Sequence, residues 1–141
     1  MLAQIFISIS AGIILLLGLA HLAYTYVGDK LHPRDTDLLE RLKATPPVIS
    51  RQTSMWKAWI GFNASHSLGA ILFGMVFGYL ALEQPRLLFD SRFLGLTGLI
   101  VLCAYLAMAW RYWFVRPLQG ISLALLSYIA GFVLANVHVF A

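Results

Sequence analysis

The chain has 141 residues, 60% of them hydrophobic and 11% charged, with a formal net charge of +4 and a mean hydropathy of +0.80. A soluble domain of this size could not bury so much apolar surface, so the composition excludes one and predicts an all-α integral membrane protein. The positive balance reads as a topology signal with some attraction to membrane lipids bearing anionic headgroups, and no stretch reads as a nucleic-acid module.

A hydrocarbon core about 30 Å thick needs about 20 helical residues to cross it. Residues 2–27, 56–82, 93–114 and 118–140 meet that length, and with a connection at 28–55 and two short turns they consume the chain. One transmembrane domain over 1–141 is expected, most simply an antiparallel up-down four-helix bundle. Lys and Arg in short loops are retained in the cytoplasm. The first connection and its edge carry Lys30, Arg34, Arg41, Lys43, Arg51 and Lys57, and the third carries Arg111 and Arg116, whereas the second has only Arg86 and Arg92. Both termini are therefore expected outside.

In the first span, the uncharged start and the long apolar run differ from a secretory leader, so the segment is expected to be retained. Ala11 and Gly18 form a seam of small residues leading to His21, with Tyr24 and Thr25 nearer the cytoplasmic end. The connection then places Pro33, Asp35 and Asp37 ahead of Leu38, Leu39 and Leu42, with Glu40 three residues after Asp37. This pattern predicts a short capped amphipathic helix over 36–44 on the inner membrane surface, stopped by Pro46 and Pro47, with a solvated linker that merely spans the gap as the competing reading. Ser50, Thr53 and Ser54 offer N-caps to the second span, and Trp56 and Trp59 stand where an aromatic belt belongs.

The second span holds Asn63 and His66, then Ala70, Gly74 and Gly78 at every fourth residue. Small residues let membrane helices approach closely, so the Gly74 and Gly78 step predicts either a contact within the bundle or a homo-oligomer contact. The third span runs through Ala104 and Ala107 to Trp110 and Arg111. It carries Cys103, the single cysteine, which leaves no intramolecular disulfide and no cysteine metal site. In the fourth span Gly120, Ala124, Ser127, Gly131, Ala135 and His138 follow one helix face. Asn136 and His138, with Gln4, belong to an outer rim.

At about 1.5 Å per residue, His21 lies roughly 9 Å from the cytoplasmic end of its helix, and Asn63 and His66 lie roughly 9 to 13 Å from the same end of theirs. Two imidazoles and an amide at one depth are the candidate site, because polar groups in hydrocarbon are costly without partners and often mark function. A lipophilic small molecule or lipid bound from the inner leaflet would use His21, Asn63 and His66, with Tyr24, Trp59 and Trp110 as walls and Arg111 meeting an anionic group. The competing reading is a non-catalytic accessory or structural subunit, with the same residues as interhelical hydrogen-bonding glue worth about 0.6 kcal/mol on average. A third is a haem or metal ligated by His21 and His66, with His32 a further ligand. No His-x-x-x-His spacing and no nearby carboxylate supports it, and the sequence names no cofactor. Ser65 and Ser67 adjoin His66 in sequence but do not face it on a helix, so a hydrolase lacks its nucleophile.

The run Gly18-Leu-Ala-His21, the charged connection, and Met55-Trp56-Lys-Ala-Trp59-Ile-Gly61-Phe62-Asn63-Ala-Ser65-His66 resemble a group of uncharacterised small four-span bacterial membrane proteins. The resemblance covers the N-terminal half and implies a bacterial inner-membrane location, without an activity. Chain length, outside termini and the larger first connection are also similar to the trimeric membrane-associated glutathione and eicosanoid enzymes. Their second-helix motif has an arginine before an asparagine and a glutamate after it. Here Trp59 stands where the arginine would align with Asn63, and His66 stands where the glutamate would, so no catalytic residue is carried over.

Overall fold

The computed structural model describes residues 1–137, and His138 with the end of the fourth expected span lies outside the described residues. Among those residues the elements are six α-helices: α1 (Leu2–Tyr26), α2 (Thr36–Ala44), α3 (Met55–Glu83), α4 (Pro85–Asp90), α5 (Arg92–Tyr112) and α6 (Val115–Val137). Helices α1, α3, α5 and α6 are apolar and long enough to cross a membrane. At 1.5 Å per residue even the shortest, α5, spans about 31 Å. The protein is an all-α integral membrane four-helix bundle.

Local chemistry sets the helix ends. Helix α1 stops where Gly28 takes a φ of +82°, the left-handed conformation that closes helices and that glycine adopts without strain. Asp35 caps α2 by accepting from the backbone N–H groups of Asp37 and Leu38 at 2.9 and 3.1 Å. Glu40 does not reach back as a capping-box partner; it pairs instead with Lys43 at 2.8 Å. Of the three candidate caps for the second span, Ser54 serves, its hydroxyl accepting from Lys57 N–H at 3.3 Å.

Helix α4 occupies a stretch expected to be a bare turn. Pro85 starts it at a position where the missing N–H costs nothing, and Leu88, fully buried, anchors it. Ser91 then ends α4 and caps α5 by accepting from Leu94 N–H at 3.2 Å. Helix α5 ends at Tyr112, before the expected 114, because Trp113 is extended. Helix α6 begins at Val115, before the expected 118, because Pro117 falls within its first turn, where proline is tolerated.

Two compact units are present: Met1–Leu17 with the chain from Ala70 onward, and Gly18–Gly69. In the first, segments of α1, α3, α5 and α6 pack with antiparallel neighbours. Leu15 lies on Gly74 while Ala11 lies on both Gly74 and Gly78, and Gly95 meets Phe132 while Gly98 meets Tyr128. Its centre is aromatic: Phe73 and Phe77 stack at 4.5 Å, and Tyr128 meets Phe77 edge-on at 5.7 Å. Tyr128 is buried, and its hydroxyl donates to Gly95 O at 3.1 Å. A side chain at Gly98 would collide with that ring.

A Cβ at Gly74 would come within 2.6 Å of Leu15 Cβ and 2.8 Å of the Ala11 carbonyl oxygen. The small-residue seam expected to serve either the bundle or a homo-oligomer is therefore filled by α1 of the same chain. A second copy could use Gly74 only by displacing it.

In the second unit, the last turns of α1 and the first turns of α3 are tied to their connection. Trp59 Nε1–H donates to Leu31 O at 3.1 Å, His32 packs edge-on against Trp56 at 4.9 Å, and the Lys30 ammonium lies 3.9 Å over the Tyr24 ring. The same unit carries the candidate site.

Candidate functional site

Asn63 projects from α3 with both ends of its amide engaged. Its Nδ2 donates to Trp59 O, one turn earlier, at 2.8 Å. A carbonyl oxygen only accepts, so the amide nitrogen must face Trp59 and Oδ1 must face the other way. There it meets His21 Nε2 of α1 at 2.9 Å. His21 therefore carries its proton on Nε2 in this arrangement, and in the neutral ring the lone pair resides on Nδ1. The orientation of one backbone carbonyl thus passes through an amide to select the tautomer of a histidine on another helix.

The His66 ring stands 5.6 Å from that of His21, at 84°. His21, Asn63 and His66 are each partly buried. The adjoining hydroxyls donate to helix carbonyls: Thr25 Oγ1 to His21 O and Ser67 Oγ to Asn63 O, both at 2.8 Å, and Ser65 Oγ to Phe62 O at 3.0 Å. Thr25 and Ser67 are buried, and each lies one turn after the site residue whose carbonyl it satisfies. That four-residue spacing was the signal in the sequence that would have found them.

Among the expected ligand-binding residues, the second unit brings together His21, Asn63 and His66 and also holds Tyr24 and Trp59, both a little under half exposed. Trp59 has a further part that its sequence position does not reveal, since its indole holds the connection at Leu31. Trp110 and Arg111 belong to the other unit, exposed near the C-terminal end of α5. The histidine triad considered for a metal does not assemble. His32 packs on Trp56, and among the described residues no three His, Cys, Asp or Glu side chains form a metal-holding group. A groove of about 510 Å³ exists, but in the first unit, where Met1, Gln4, Ile5, Ser8, Ile9, Ala81 and Leu82 line it.

Fold and site together define a small polytopic membrane protein with a buried-edge histidine and asparagine cluster. No protein-family model, no curated protein and no solved structure matches the chain.

Proposed function

We propose that the His21, Asn63 and His66 cluster binds a lipophilic small molecule or lipid through a hydrogen-bonding head group, entering from the cytoplasmic leaflet of a bacterial inner membrane. The observation that carries this reading is the Asn63 amide, whose two bonds assign the His21 tautomer. A ring held in one tautomer presents a defined acceptor at Nδ1, which suits a neutral ligand bearing an O–H or N–H group. Tyr24 and Trp59, partly exposed in the same unit, offer aromatic surface for the apolar body of such a ligand.

The test is lipid extraction and mass spectrometry on protein purified in mild detergent, comparing wild type with Asn63→Ala and His66→Ala. Loss of one co-purifying lipophile from both variants, with helix content and size unchanged, supports binding. Retention of the same bound species in both variants overturns it.

The reading as an accessory or structural subunit is favoured by a different aspect of the same bond. His21 and Asn63 satisfy each other without any ligand, as interhelical glue does. On that reading the two substitutions lower thermal stability and leave the lipid profile unchanged.

A further inference from the structure

The connection between α2 and α3 closes into a pinned loop. Met55 N–H donates to Thr45 O at 2.8 Å across its base, and Ser50 N–H donates to Pro47 O at 3.2 Å across its tip. Ser50 Oγ accepts from Gln52 N–H at 3.1 Å on the returning limb. The tip is thus a four-residue turn whose two central positions are Val48 and Ile49.

Those residues are wrong for a turn in water. Central turn positions favour Gly, Asn, Asp, Ser and Pro, each for a local reason, whereas β-branched side chains favour extended backbone. Here both are β-branched and aliphatic, and they are 110% and 92% exposed, so the chain itself covers neither. Pro46 and Pro47 stiffen the approach. An apolar pair held out at the end of a braced loop needs an apolar environment from outside the chain.

The helix that follows in the chain brings one close by. The loop returns at Met55, the first residue of a membrane-spanning helix, and Trp56 and Trp59 follow at once, the residue type that settles at the membrane–water interface. Between Thr45 and Met55 the only charged side chain is Arg51, two residues beyond the tip, where a guanidinium can meet lipid phosphate. No acidic side chain opposes it within the loop.

We infer that Val48 and Ile49 form a wedge that inserts into the interfacial region of the bilayer, with Arg51 at headgroup level, so that the connection is fastened to the lipid surface. This binding surface is separate from the histidine cluster, and its occupant is the bilayer itself. The wedge is a hydrophobic tip with a basic neighbour, one of the ways in which interfacial segments hold to lipid.

The experiment uses full-length protein, one copy per nanodisc of mixed zwitterionic and anionic phospholipid, with Cys103→Ser removing the native thiol. A solvent-sensitive fluorophore is attached at Ile49→Cys and, separately, at Gln52→Cys on the returning limb. At position 49 the expected result is blue-shifted emission, strong quenching by lipid-borne nitroxide near the headgroups, and iodide quenching several-fold weaker than at position 52. Should position 49 be as open to iodide as position 52 and insensitive to the nitroxide, the wedge is overturned; a tip whose cover is a second protein, absent from this single-copy sample, gives that same result. An independent check on unlabelled protein is hydrogen exchange of residues 45–54. Val48→Ser with Ile49→Ser should raise exchange there in nanodiscs and leave α3 unchanged, and no change in the loop counts against the proposal.

Discussion

His21 Nε2 and Asn63 Oδ1 lie 2.9 Å apart and join two helices across 42 positions of chain. Both side chains are in membrane-spanning segments, where an unpaired polar group is costly. The bond is therefore expected to couple the two residues energetically, whatever else the cluster does. A double-mutant cycle of His21→Ala, Asn63→Ala and the pair, measured by unfolding in detergent, should give a coupling of about 0.6 to 1.7 kcal/mol. Strict additivity of the two single substitutions would show that the contact contributes nothing.

Gly74 and Gly78 look equivalent in a small-residue seam, yet they face different constraints. A methyl at Gly74 meets the Ala11 carbonyl oxygen at 2.8 Å and Leu15 Cα at 2.9 Å, backbone atoms that cannot rotate away, while one at Gly78 meets only Ala11 Cβ at 3.7 Å. Gly74→Ala should destabilise the protein by about 1 to 3 kcal/mol through overpacking. Gly78→Ala should be neutral or stabilising by up to about 1 kcal/mol, because alanine is the better helix former. Thermal melts of the two variants in the same detergent check the order, and equal stabilities would contradict the packing described for α1 and α3.

Ser10 is completely buried, and its hydroxyl has no hydrogen-bond partner among the described residues. A buried donor left unsatisfied costs about 1 to 3 kcal/mol, and removing it leaves only a small void. Ser10→Ala should therefore raise stability by about 1 kcal/mol, read as a higher denaturation midpoint. A lower midpoint would mean that the hydroxyl is satisfied in the membrane.

Asp35 alone caps α2, a helix of nine residues none of which is buried. A helix that short depends on its termini, since little tertiary packing supports it. Asp35→Ala should cost about 0.5 to 2 kcal/mol of local helix stability, visible as faster amide exchange over 36–44. Asp37→Ala should have a smaller effect, because Asp37 contributes only its backbone N–H to the cap. Equal effects from the two substitutions would refute the assignment of the cap.

Hydropathy and length by themselves determined the class of the protein and its four apolar helices. Both are local sums along the chain, and an apolar run of about 20 residues has one stable fate in hydrocarbon. That His21, Asn63 and His66 come to one level on neighbouring helices was equally legible, because helical rise converts position into distance. Which atoms meet was not legible, since that depends on the rotation of each helix about its own axis and on its neighbours. Tertiary structure decided that Trp59 O orients the Asn63 amide and so selects the His21 tautomer, that α1 fills the Gly74 seam, and that His32 packs on Trp56. It also decided that Val48 and Ile49 stand at the tip of a turn, which requires hydrogen bonds from Ser50 to Pro47 and from Met55 to Thr45. Those bonds close the loop, and only in the closed loop are the two side chains presented without cover.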